Sequence, residues 1–457
     1  MIKKIFICMI FMIYIPHLAY AFNPYSTEEL EQLEKEFIQL INQSGSIERD
    51  PLAIQYINHL GRELTHVAHI RNAFFFIVKS NEINAFAGPG GYIGINSQLI
   101  LTTSNENELA SVMAHEISHV KLHHLYRTIQ HEKQMRVPML ASLLASIALS
   151  AIDPTLASGA VLASLTGFTQ DSINFIRANE KAADRIGINI LNQSGFNPRG
   201  MIAFFKKMQT NSRYYYTTNV PAILRTHPLD EERIAEAENS CALFKRKQFA
   251  DNIDYHLFKE LIRNSVKSNN KQLLDFYKSE CVNQNTQEAC AYGNALALSS
   301  INRSQSAINI LRQLIAHDKD NLFYQIAMAD AEFNNHEHAS ARIRLQELQA
   351  NYPDSYATLM AYARILVASG KSQTATTVLL KGFRKFKHDL PLCEALAMAQ
   401  SKARQKVYAY FTQSQCYLLQ GRKREALAQL EQAKHFDKKN SYLNARINAM
   451  VEMIKEL

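Results

Sequence analysis

The sequence predicts a mainly α-helical protein with one small β-sheet, in which a globular domain is followed by an α-helical repeat domain. Three observations carry this. Strand-like runs are confined to residues 74–100, while most of the chain spaces its apolar residues at helical period. Late in the chain, a turn residue followed five positions on by alanine recurs every 34 residues: Asn302 to Ala307, His336 to Ala341, Gly370 to Ala375. Beyond Cys8, every cysteine (Cys241, Cys281, Cys290, Cys393, Cys416) lies after residue 240.

The N-terminus, MIKKIFICMIFMIYIPHLAYAFN, places Lys3 and Lys4 before an apolar run from Ile5 to Ile15. Pro16 follows, then Ala19 and Ala21 at the small positions of a cleavage site. The run is shorter than the ~20 residues needed to span a bilayer, so residues 1–21 are expected to be a cleaved export signal. The expected division is then 22–240 for the first domain and 241–457 for the repeats. An apolar content of 47% with 20% charged residues argues against disorder and against a multispanning protein. A net charge of +8 without a dense basic block argues against nucleic acid and leaves room for peripheral contact with a membrane. The five cysteines of the mature chain leave at least one unpaired and match no zinc knuckle. Residues 22–240 contain none, so any metal there must be held by nitrogen and oxygen.

In chain order, 27–70 reads mainly as helix, started by Ser26-Thr27-Glu28-Glu29. FFFIVKS (74–80) and GYIGINSQLI (91–100) read as strands joined by the turn-rich NAFAGPG. From Asn105 the pattern turns helical. Segment 137–168 is apolar with Asp153 as its only charge; it suits an amphipathic lid touching the membrane surface, or a buried pair of helices. Helix resumes over 171–193 and 198–210. The fourth repeat marker, Gly421 to Ala426, follows after 51 residues, which predicts an inserted segment near 386–404. The repeats resemble the tetratricopeptide type.

MAHEISHVKLHH (113–124) is the stretch richest in ligand chemistry. His115 and His119 are four apart; on a helix both imidazoles leave one face about 6 Å apart along the axis, a separation that suits one zinc ion. Glu116 lies about 100° around that helix, beside the ligand face, where a carboxylate serves as proton acceptor without being a ligand. If the helix continues, His124 faces away from His115 and His123 lies a turn too far, so neither is expected in the site. In NEKAADRIG (179–187), Glu180 and Asp184 again share a face. Glu180 suits the third ligand position, and Asp184 suits a hydrogen bond to the outer nitrogen of a ligand histidine.

HEISH, then EKAAD, then THPLDEERI (226–234), in that order, resemble the M48 family of zinc peptidases. The resemblance implies a zincin-like metallopeptidase domain with one Zn2+, His115, His119 and Glu180 as ligands, and Glu116 as catalytic base. It also sets His227 near the metal, as a regulatory fourth ligand or a transition-state group, with Arg233 close by. It points to Gly91, Tyr92, Ile93 and Gly94 as an edge strand to which an extended substrate adds, although the residues alone fit an internal strand equally well. For an exported member with repeats, it implies quality control and assembly of outer-membrane β-barrel proteins in the periplasm. The partners would be the assembly machinery and unfolded or stalled β-barrel clients. A chaperone or adaptor whose peptidase is normally latent is the alternative.

Overall fold

The computed structural model describes residues 27–131, 170–214, 221–245, 247–267, 269–279, 287–386, 389–436 and 441–456. The expected export signal (1–21) and the apolar segment 137–168 lie outside them. The first half runs α1 (Thr27–Gln43), α2 (Pro51–Ala68), β1 (Phe74–Val78), β2 (Ala85–Ala87), β3 (Tyr92–Asn96), α3 (Ser97–Thr102), α4 (Glu106–Lys121) and α5 (His124–His131). It continues with α6 (Gln170–Gln193), α7 (Arg199–Tyr214), α8 (Ala222–Thr226) and α9 (Glu231–Ala242). After α10 (Ile253–Val266) and α11 (Asn270–Ser279), helices pair: α12 (Gln287–Ser300) with α13 (Ser304–His317), α14 (Leu322–Asn334) with α15 (His338–Asn351), α16 (Tyr356–Ala368) with α17 (Ser372–Lys385), and α18 (Leu390–Lys402) with α19 (Lys406–Leu419). The helices α20 (Lys423–Phe436) and α21 (Ser441–Glu456) end the chain's described part. The fold is mainly α with one small sheet, as expected. Among the described residues no helix is long and apolar enough to cross a membrane.

The sheet corrects three expectations. Its order is β1-β3-β2, with β1 parallel to β3 (Phe74 opposite Tyr92) and β2 antiparallel (Ala85 opposite Ile95). The NAFAGPG bridge therefore contains a strand, β2, which is only three residues long and hidden among turn formers. Tyr92, Ile93 and Gly94 lie in the central strand with Gly91 leading into it, so they form no edge. Both their flanks are paired, and Ile93 and Ile95 are fully buried. The outer flank of β1 is closed where Ile47 bridges Val78. Among the described residues, the free flank belongs to β2. The expected strand over 91–100 also stops at Asn96, where α3 begins.

The repeat shows why its marker residues recur. Asn302, His336 and Gly370 each take a left-handed backbone at a helix–helix turn, and so does Arg404, a further 34 residues on. Each turn closes with the same two backbone bonds, for example Gly370 N to Val367 O and Lys371 N to Leu366 O, against Arg404 N to Ser401 O and Gln405 N to Gln400 O. No segment is inserted at 386–404: α18 and α19 form a full unit whose turn uses arginine where glycine is easier. Gly421 then follows α19 directly, so that helix serves both as the end of one pair and the start of the next. The alanines five residues past four of the turns (Ala307, Ala341, Ala375, Ala426) are fully buried, and so are or nearly are the leucines one helical turn later (Leu311, Leu345, Leu379, Leu430). Small residues let paired helices approach while leucines fill the space between them.

The two halves share one core. Tyr56 of α2 stacks on Phe258 of α10 with ring centroids 4.3 Å apart. Gln55 accepts hydrogen bonds from Ser355 Oγ (2.8 Å) and Ala357 N (3.0 Å) at the start of α16. Asn42 of α1 donates to Leu419 O at 2.8 Å, so α1 reaches the end of α19. The repeats thus pack against the helices that carry the sheet rather than trailing from them. A Cys393–Cys416 disulfide ties α18 to α19, Cys290 is also disulfide-bonded, and buried Cys241 is free.

Candidate metal centre

Helix α4 starts at Asn105, whose side chain accepts from Glu108 N at 3.1 Å; Glu106 and Glu108 favour the same helix end. Every residue from Glu108 to Ser118 is buried, so the His115-Glu116 turn is threaded through the interior. Helix α6 crosses α4 closely. A Cβ on Gly187 would stand 3.3 Å from Ala114 O and 3.1 Å from Met201 Cε, and Ala114 and Ala183 are fully buried. This small-residue crossing brings Glu180 over the histidines of α4.

Four donor atoms converge there. His115 Nε2 lies 3.0 Å from His119 Nε2 and 3.3 Å from Glu180 Oε2. Glu180 Oε1 is 3.3 Å from His119 Nε2 and 3.0 Å from His227 Nδ1. His227 Nδ1 is 3.3 Å from His115 Nε2. The four groups offer ligand atoms all within 4.8 Å of one another. Glu116 stays outside the quartet, 1% exposed, with Oε1 3.5 Å from His227 Nε2 and without a hydrogen-bond partner for that oxygen among the described residues.

Outer contacts orient the quartet. Asp184 Oδ1 approaches His115 Nδ1 at 2.9 Å, off the line of the ring N–H. Arg233 clamps Asp184 with two bonds, Nε to Oδ2 at 2.7 Å and Nη2 to Oδ1 at 2.8 Å. Its Nη1 reaches Glu180 Oε2 at 3.0 Å and donates to Pro228 O at 2.7 Å. Arg233 is 2% exposed and is set at the start of α9 by Asp230, which caps its backbone N at 2.9 Å. Burial opposes charge on Glu180, but His227, His119 and His115 outweigh it and hold its pKa well below the usual carboxylate range. Burial likewise opposes charge on His115, but Asp184 and Glu180 outweigh it and raise its pKa to about 10.

His124 departs from the expectation that it faces away. The helix does not continue: α4 ends at Lys121, His123 takes a left-handed backbone (φ 54°), and α5 begins at His124. The reversal turns His124 back into the interior, 3% exposed, with its Nδ1 2.9 Å from His119 Nδ1. Burial first, and His119 next, lower its pKa to about 3, so the ring is neutral. Were His119 Nε2 to hold an ion, its Nδ1 would carry the hydrogen, and His124 Nδ1 is placed to accept it. Replacing His124 with alanine should weaken metal affinity about 10–100-fold with the fold retained, as read by chelator competition beside a melting curve. No visible signal in VKLHH marks this, because the turn is made without glycine.

His227 is carried by a segment hooked to the entry of β2. Ile223 N donates to Ile83 O at 3.0 Å, and Arg225 Nη2 lies 3.4 Å from Glu82 Oε2. The segment holds His227 Nδ1 inside the quartet.

The donor set suits a divalent ion. Three imidazole nitrogens and a carboxylate point at one another from short range, an arrangement that repels or needs protons unless a cation lies between them. The orphaned Glu116 oxygen beside them needs a partner of its own, and a water molecule held by an ion would provide one.

Comparison with known proteins bears on this centre. The sequence profile described as Peptidase family M48 matches residues 51–240. The Beta-barrel assembly-enhancing protease of Escherichia coli (strain K12) is 31% identical over 439 residues, covering 93% of this chain and 88% of that protein. Its namesake from Yersinia pestis is 30% identical over 427 residues, covering 92% and 87%. Among solved structures, a tetratricopeptide repeat protein from Parabacteroides merdae aligns with 63% of this chain and 96% of its own at 12% identity and a TM-score of 0.30.

Proposed function

Since the chain belongs to peptidase family M48 and is a metalloendopeptidase, we propose that its ion is a single zinc held by His115, His119 and Glu180, with Glu116 as the catalytic base. The observation that carries this is the convergence of those three groups beside a buried, unpartnered Glu116 oxygen. When bound, the ion acidifies a water molecule and polarises the scissile carbonyl. Glu116 Oε1 takes the proton of that water and delivers it to the leaving amine nitrogen. Asp184 orients His115, Arg233 holds Asp184, and His124 orients His119. An extended substrate adds to the free flank of β2 (Ala85–Ala87) rather than to Gly91–Gly94.

The same reading extends to place and purpose. The enzyme is exported by a cleaved signal over 1–21 and works in the periplasm. It acts in outer-membrane β-barrel assembly, degrading misassembled clients, and the repeats of 241–457 receive the assembly machinery or the client. The naming of its relatives for barrel assembly supports this, as do two disulfide-bonded helices in the repeats.

The position of His227 favours a resting enzyme. With its Nδ1 in the quartet, it fills the fourth position that catalytic zinc sites keep open. Client or partner binding would pull the segment 221–230, which carries His227, away. His227→Ala should then raise basal cleavage of an unfolded protein such as casein several-fold at equal zinc content. Lost activity would assign His227 to the transition state, and unchanged activity would remove it from both roles. A chaperone or adaptor with the peptidase latent is the second reading, favoured by this same position of His227.

A further inference from the structure

From Ala395 to Arg424 the chain carries six basic residues and no acid. Three of the six, Lys402, Arg404 and Lys406, are exposed where α18 turns into α19. The end of α20 and the start of α21 come to the same place. Phe436 of α20 stacks on Tyr410 of α19 with ring centroids 5.5 Å apart, and Lys406 Nζ stands 5.0 Å from the Phe436 centroid. On α21, exposed Arg446 lies 4.8 Å over the ring of Phe411 of α19 and 5.9 Å from that of Tyr442. Three aromatic side chains stay open to solvent here: Tyr408 is 47% exposed, Phe436 44% and Tyr442 72%. The opposite end of α19 is covered by α1, whose Asn42 and Gln43 donate to Leu419 O and Gln420 O. Among the described residues none of Lys402, Arg404, Lys406 and Arg446 makes an ion pair, unlike Lys385 with Asp354 or Arg422 with Glu425. Residues 437–440, which join α20 to α21 in sequence, hold two lysines to one acid.

Cations gathered without partners repel one another, and a facing layer of negative charge relieves them. Aromatic rings set among them gain at a boundary that is wet on one side and apolar on the other, where tyrosine keeps its hydroxyl in water. Helix ends and turns build this face. The three strands of the described residues all precede residue 97, so none gives it an edge for an extended polypeptide. We propose that this end of the repeats docks on an anionic lipid surface, with Lys402, Arg404, Lys406 and Arg446 over the lipid phosphates and Tyr408, Phe436 and Tyr442 at headgroup depth. Each cation brought to such a surface strengthens binding about five-fold, and the attraction fades as salt screens it.

The chain contains no tryptophan, so Tyr442→Trp places a single fluorescent reporter in this surface. Vesicles of phosphatidylglycerol and phosphatidylcholine in equal parts should shift its emission to the blue. Pure phosphatidylcholine should not, and high salt should reverse the shift. Adding Lys402→Gln, Arg404→Asn and Lys406→Gln together should weaken vesicle binding about 100-fold; asparagine tolerates the left-handed backbone at position 404. Binding without a blue shift would put the contact elsewhere on the molecule and overturn the proposal. No binding, equal binding to pure phosphatidylcholine, or undiminished binding by a triple variant that melts like the reporter protein would overturn it as well. Release by millimolar inorganic phosphate would reduce the surface to a phosphate site, and tighter binding to polyglutamate than to vesicles would give it to acidic polypeptides; either result also ends the lipid assignment. Should the triple variant melt early, the lipid and salt dependence of the reporter decides alone.

Discussion

Replacing Glu116 with glutamine should lower kcat for cleavage of an unfolded protein by about 10²–10⁴-fold while leaving the ion bound. The substitution keeps the size of the side chain and removes its capacity to accept a proton. Glu116 lies outside the quartet, with Oε1 3.5 Å from His227 Nε2 and without a hydrogen-bond partner among the described residues, so its loss should not strip the metal. Activity assays beside elemental analysis separate the two effects. Loss of ion along with activity would make Glu116 a ligand, and retained activity would end its role as base. In cells the same variant separates the two functional readings: if the protein works by cutting, removal of stalled clients stops, and if it works by binding, support of barrel assembly persists.

The second large effect should come from Arg233→Ala, a loss of about 3–5 kcal/mol of stability. The arginine is 2% exposed and neutralises two buried carboxylates, Asp184 through two bonds and Glu180 through a third. Its removal leaves those carboxylates paired only with histidines. Arg233→Lys should recover only part of the loss, because an ammonium cannot reproduce the two-pronged contact. Denaturant midpoints for the three proteins decide it; a shift below about 1 kcal/mol would mean that the clamp is not needed for folding. The carboxylates add a pH signature. Burial works against charge on Asp184, but His115 and Arg233 outweigh it and lower its pKa. Its contribution is therefore present above the unfolded value and is lost as pH falls through the folded one.

The parts of the site that were legible in the sequence are those set by helical period. Four-residue spacing puts His115 with His119, and Glu180 with Asp184, on shared faces whatever the fold around them. The fold class was legible for a similar reason, since a 34-residue recurrence and helical apolar spacing are local. What stayed hidden was set by single backbone angles or by distant pairing. His123 takes a left-handed turn that no glycine announces, and this alone sends His124 back to His119. Arg404 does the same in the repeats, which made a regular unit look like an insertion. Tyr92–Asn96 has the composition of an edge or a central strand equally. Only its parallel pairing with Phe74–Val78 and its antiparallel pairing with Ala85–Ala87 decide between them.

Metal content of the purified, unchelated protein, read beside Glu180→Ala, bears on everything above. One zinc per folded wild-type chain, and markedly less in Glu180→Ala at equal helicity, is the expected result. A folded wild type without an ion, or an ion held equally well when Glu180 is gone, would contradict it.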